Sequence, residues 1–139
     1  MKTKKLIFIA IGIFSITLTT LLLIDNSQTI LYAYYDGGTN AFTINLKNNG
    51  KYEIINGSWL TSKDFHGSYT IKDSIVTLDK NNIDHVILTN KLKIGMCYYY
   101  RTESQKKVLT PCLLQVDENG NRIDTHFTFT IRTDNKQRN

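Results

Sequence analysis

Residues 65–72, FHGSYTIK, decide the fold. Phe65, Gly67, Tyr69 and Ile71 share one parity, while His66, Ser68, Thr70 and Lys72 share the other. Alternation with a period of two marks a strand that has one face in a core and the other in water. Asp73-Ser74 then turns the chain into a second apolar run, Ile75 to Asp79. On the N-terminal side the pattern recurs over Ala41 to Lys47, where Phe42, Ile44 and Leu46 oppose Thr43, Asn45 and Lys47. Asn48-Asn49-Gly50 supplies the positive φ angles of a tight hairpin turn, and Lys51 to Asn56 returns.

Further out, Ile30 to Tyr35 reads as a first strand closed by Asp36-Gly37-Gly38, and Gly57 to Asp64 as a connection carrying the single tryptophan, Trp59. Asp84 to Thr89, Leu92 to Arg101, Lys107 to Val116 and Arg122 to Arg132 complete the series. In the last of these, Ile123, Phe127, Phe129 and Ile131 share a parity. No segment after residue 24 carries a helical period. Eight or nine short strands, spaced by about ten residues, predict an all-β domain over residues 41–132, an antiparallel up-and-down sheet curling into a small barrel or half-barrel. The succession NNGKYEI, then FHGSYTIKDSIVTL, within residues 41–94, resembles the rhythm of small lipocalin-like (calycin) envelope proteins of bacteria. That resemblance implies a barrel able to hold something apolar.

Ahead of this domain lies LIFIAIGIFSITLTTLLLI, residues 6–24, which contains no charge. At about 1.5 Å of rise per residue, a helix of that length spans roughly the 30 Å hydrocarbon core of a bilayer. A cleaved signal peptide has a shorter apolar core, of about 7–15 residues, and ends at a small-residue site. The nearest candidate cut here, after Ala33, has bulky Leu31 at its third position back. The run therefore reads as a transmembrane signal-anchor, with cleavage as the alternative. Lys2, Lys4 and Lys5 precede it and the next basic residue is Lys47, which orients residues 1–5 as a cytoplasmic stub and residues 25–139 outside. Residues 25–40 form a linker with the first strand, and residues 133–139 a polar, disordered tail. The expected location is the bacterial envelope, single-pass, with the membrane as a partner through residues 6–24.

The formal charge of +5 is partly a matter of topology. Outside the membrane fourteen basic residues face twelve acidic ones, a net of +2, without the clustered basic stripe that nucleic acid requires. No nucleophile elbow, phosphate loop or His-Glu-x-x-His motif is present, so the expectation is a protein that is not an enzyme and has no cofactor.

Cys97 and Cys112 fall on the outer side of the predicted membrane, where disulfides form. A hairpin turn centred between Ser104 and Gln105 places Cys97 opposite Cys112, Met96 opposite Leu113 and Tyr100 opposite Leu109. That register predicts a disulfide contributing about 3 kcal/mol. The three histidines each have an aspartate within two residues, in Asp64-x-His66, Asp84-His85 and Asp124-x-His126. Imidazoles oriented by carboxylates build zinc and copper sites, so His66, His85 and His126 form the alternative, metal-binding reading. Against it, His66 and His126 sit on the polar parity of their strands.

The inward parity names the candidate ligand site. Phe42, Ile44, Phe65, Tyr69, Ile71, Phe127 and Phe129 are expected to line a small apolar cavity, with Gly67 removing bulk from the same face. The expected function is a non-enzymatic binding or envelope-maintenance module for a small apolar ligand or an envelope protein. Trp59 and Tyr98 to Tyr100 are the surface contacts should the interior be solid.

Overall fold

The computed structural model describes residues 27–101, 106–123 and 125–132. The stub 1–5, the apolar run 6–24 and the tail 133–139 lie outside the described residues. Among the described residues eight strands follow one another: β1 (Thr29–Asp36), β2 (Asn40–Lys47), β3 (Lys51–Ser58), β4 (Ser62–Lys72), β5 (Ile75–Leu78), β6 (Lys91–Arg101), β7 (Lys106–Gln115) and β8 (Phe129–Ile131). Each pairs antiparallel with its sequence neighbour, and β8 pairs with β1, so the sheet is a closed barrel. Closure removes the free edges that an open eight-strand meander would expose. Among the described residues no helix is long and apolar enough to cross a membrane.

The alternation places the core. Ala33, Phe42, Ile44, Leu46, Tyr52, Ile54, Val76, Leu78, Leu92, Leu113 and Phe129 are all buried inside the barrel. In the β2–β3 turn Gly50 alone takes the positive φ, at 76°, with its N–H donating to Lys47 O at 3.1 Å. The β4–β5 turn puts Asp73 and Ser74 in the left-handed region, at φ 50° and 64°. A two-residue hairpin asks for that conformation, and glycine or asparagine adopts it more readily.

Two expected strands are corrected. Asp84 to Thr89 is no strand but part of a loop that caps one end of the barrel. The chain reverses between Ile83 and Ile87, which exchange backbone hydrogen bonds of 2.8 and 3.1 Å, with Asp84 and His85 left-handed between them. This reversal drops Ile83 and Ile87 into the core. Of the described residues from Arg122 to Arg132 only β8 pairs with the sheet on both sides; Arg122 makes an isolated bridge to Val116.

The β6–β7 register also differs from expectation, by two residues. Cys97 pairs with Thr110 and Gly95 with Cys112, while Met96 faces Pro111 and Tyr100 faces Lys107. A two-residue slip keeps every side chain on its face, so the apolar pattern is equally satisfied. The cysteines become diagonal neighbours and both are free thiols, not the expected bridge.

Register also defines the two ends. Tyr34, Thr130, Cys112 and Gly95 form one row across β1, β8, β7 and β6. The chain enters at the basal end, where Gln28 meets the β2–β3 turn through Asn48. The turns β1–β2 and β3–β4 and the capping loop lie at the opposite, mouth end.

Candidate functional site

At the mouth, side chains of inward parity run out before the barrel is full, and a cavity of about 230 Å³ remains, lined by Tyr35, Gly37, Thr39, Asn40, Phe42, Asn56, Val86 and Phe127. Its wall is aromatic. The Tyr35 and Phe127 rings meet edge to face at 5.1 Å, Tyr35 and Phe129 at 6.4 Å, and Phe42 and Phe129 tilt at 5.9 Å. Edge-to-face pairs of this kind contribute about 0.5–1.5 kcal/mol each beyond the area they bury. Gly37 lets the Tyr35 ring pack closely over the turn: a Cβ there would lie 3.1 Å from the ring and 3.2 Å from Asn40 O.

The capping loop supplies the remaining wall, Val86, and three side chains from other elements hold it in place. Gln115, buried at the end of β7, donates to Val86 O at 2.8 Å and accepts from Leu88 N at 2.7 Å. On the other side Asp84 accepts from Asn56 Nδ2 and, at 3.0 Å, from Lys63 Nζ. The Asn56 amide, then the Lys63 ammonium, hold the Asp84 carboxyl below its ordinary range. The carboxylate is thus ionised and already compensated. With one N–H committed to Asp84, Asn56 can offer a ligand its second N–H and its carbonyl. The site is therefore an apolar, aromatic pocket with a neutral hydrogen-bonding rim of Thr39, Asn40 and Asn56.

Of the residues expected to line a cavity, Phe42 and Phe127 do so. Ile44 and Phe129 are sealed in the solid core, and Phe65 and Tyr69 pack half-buried against it. Ile71 has inward parity but is exposed, because β4 runs past the last β3 pair, Lys51 with Ser68. Gly67 opens no space: the Tyr52 ring and the Asp79 carboxylate fill the position where its side chain would be. Sequence reasoning missed Asn56, Val86 and Gln115. A glutamine placed on the inward parity of an otherwise apolar strand was the available signal.

The histidines stay apart. His66 is exposed opposite Glu53, His85 is exposed in the capping loop, and His126 is exposed before β8. Asp124 lies outside the described residues, and among those described no group of three or more metal-ligating side chains gathers. A second depression, of about 150 Å³, is lined by Cys97, His126, Asp36, Tyr34, Tyr98 and neighbouring threonines. Among the described residues no hydrogen bond joins Cys97 to His126. Burial first, and the Cys97 thiol second, push Cys112 up to about 12. Trp59 and Leu60 stand almost wholly in solvent at the tip of the β3–β4 turn, at 93% and 94% exposure. Searches against protein-family models, curated proteins and solved structures return no match for this chain.

Proposed function

We propose that this protein is a non-enzymatic binding module of the bacterial envelope, anchored by residues 6–24 and holding a small apolar group in the mouth of its barrel. The observation that carries the binding reading is the aromatic cavity of about 230 Å³ walled by Tyr35, Phe42, Val86 and Phe127. Pockets for whole drug-sized ligands are about 300–1,000 Å³. A ring or short acyl end, inserted from a larger molecule, matches the smaller volume. The compensated Asp84 removes any preference for a cationic group, so the ligand's inserted part is neutral, with a polar atom at the level of Asn40 and Asn56. The reading rests on the cavity and on no relationship to a known family.

The test is titration of the folded protein with N-phenyl-1-naphthylamine, read as enhanced probe fluorescence, beside a Val86→Trp variant that fills the cavity. Saturable enhancement, lost in Val86→Trp with the thermal midpoint retained, is expected. No saturable binding, or binding unchanged by Val86→Trp, overturns the pocket. The anchor has its own test: protease added to intact spheroplasts digests residues 25–139 if they lie outside. Protection, or a mature N-terminus near Tyr34, overturns it.

A further inference from the structure

The β6–β7 hairpin is longer than the barrel it helps to close. On one side β5 pairs with β6 only at Lys91 to Lys93, and on the other β8 pairs with β7 only at Cys112 and Leu113. Beyond Gly95 and before Pro111 the two strands pair mainly with each other and overhang the basal end as a ribbon. Along the ribbon's inward parity the core stripe of Leu92, Ile94 and Leu113 continues into Met96, Tyr98 and Leu109. With no opposite barrel wall to cover them, all three are exposed, Tyr98 by 63%. Val108, Ile30 and Ile71 add exposed apolar surface at the same end. Basic residues border it: Lys47 and Lys51 flank the β2–β3 turn, Lys72 ends β4, Arg132 follows β8, and Lys107 Nζ lies 4.7 Å from the Tyr98 ring centroid. Acidic Asp64 and Asp84 lie toward the other end, while Asp73 sits in the β4–β5 turn at this end and Asp36 shares a depression with Cys97 and Tyr98.

We propose that this basal end rests on an anionic bilayer surface, with Met96, Tyr98 and Leu109 in the headgroup layer and the lysines against lipid phosphates. The inference rests on the anchor reading. Ile24 ends the apolar run three residues before Ser27, a reach of about 10 Å at most. A barrel tethered so closely has its basal end at the headgroups. Tyrosine at the interface with lysine reaching past it is the arrangement that lipid boundaries favour, and basic side chains there are drawn to anionic lipid. This posture turns the mouth away from the membrane.

The test uses the full chain reconstituted in phosphatidylglycerol/phosphatidylethanolamine vesicles with brominated acyl chains. Natural Trp59, at the far end, serves as the control and keeps its emission. In Trp59→Phe/Tyr98→Trp, and independently in Trp59→Phe/Met96→Trp, the single indole loses most of its emission, and recovers part of it when phosphatidylcholine replaces the anionic lipid. Unquenched reporters in a chain that resists carbonate extraction overturn the surface contact and leave the anchor standing. Unquenched reporters with intermolecular cross-links at Lys107 assign the face to a second copy and also overturn it. Extraction of the chain by carbonate overturns the anchor and this inference together.

Discussion

The Tyr52 hydroxyl and the Asp79 carboxylate converge over Gly67: a Cβ placed on that glycine would lie 2.3 Å from Asp79 Oδ1 and 2.5 Å from Tyr52 Oη. Neither group can readily step aside. Tyr52 is buried in the core, and Asp79 is fixed by the Ser68 N–H at 2.9 Å and the Ser68 hydroxyl at 3.0 Å. Gly67→Ala should therefore lower stability by about 1–3 kcal/mol, the usual range for overpacking. Tyr52→Leu removes the clashing ring, so the double variant should lose less than the sum of the singles, by about 0.5 kcal/mol or more. Urea denaturation of the four proteins checks this; strict additivity would contradict the contact.

The same pair makes stability depend on pH at both extremes. Burial first, and the Asp79 carboxylate second, raise the Tyr52 phenol above its ordinary 10.0. Because its folded value is the higher one, its contribution is complete below pH 10.0 and is lost as pH rises from there. The Ser68 N–H holds Asp79 below its ordinary 3.8, so that contribution is present above 3.8 and lost as pH falls through the lower folded value. Urea midpoints should thus fall above pH 10 in the natural protein and fall less in Tyr52→Phe, where Tyr69, also raised by burial, remains. On the acid side Asp79→Asn should flatten the decline, leaving the parts due to Asp84 and Asp117, which are also lowered. An alkaline slope unchanged in Tyr52→Phe would remove Tyr52 as its source.

The thiols yield a prediction opposite to the one their sequence spacing suggests. With Cys97 and Cys112 diagonal and free, unfolded, unreduced protein should titrate two thiols with Ellman's reagent. In the folded protein Cys112 should react far more slowly than Cys97, since it is fully buried and its thiol is pushed up to about 12. Finding no free thiol after unfolding would restore the bridge and require the β6–β7 register to shift by two residues.

Alternation made most strands legible because one wet face and one dry face leave a period-two imprint. Thus Ala41 to Lys47 matches Asn40–Lys47, and Leu92 to Arg101 matches Lys91–Arg101. What alternation cannot carry is any displacement by an even number of residues, which is why the pattern fits Cys97 opposite Cys112 as well as it fits the observed partner, Thr110. Nor does it reveal stagger. Ile71 and Met96 have core parity yet lie outside, because their strands outrun their neighbours as closing a barrel requires. The capping loop failed differently: Val86-Ile87-Leu88 looks like strand, but Asp84 and His85 take left-handed angles that bring Ile83 and Ile87 together. Consequently only Phe42 and Phe127 of the mouth were readable, while Val86 and its supports were not.

Gln115 joins the barrel to its candidate site. Its two side-chain hydrogen bonds, to Val86 O and Leu88 N, cross from the buried Gln115 on β7 to the part-buried capping loop, so removing the amide takes away the side-chain partner of both backbone groups. An orphaned buried group costs about 1–3 kcal/mol, and Gln115→Leu should destabilise by at least that much. The local effect should exceed the global one: Leu88 amide exchange should accelerate more than that of Ile44 or Ile54 in the core strands. Because Val86 is a wall of the cavity, N-phenyl-1-naphthylamine binding should weaken even where the variant is fully folded. Gln115→Glu keeps an acceptor for Leu88 N–H but faces Val86 O without a donor, and should fall between the two in Leu88 protection. Leu88 protection unchanged in Gln115→Leu would show that the loop is held by Ile83 and Ile87 packing alone, and would sever the link between Gln115 and the mouth.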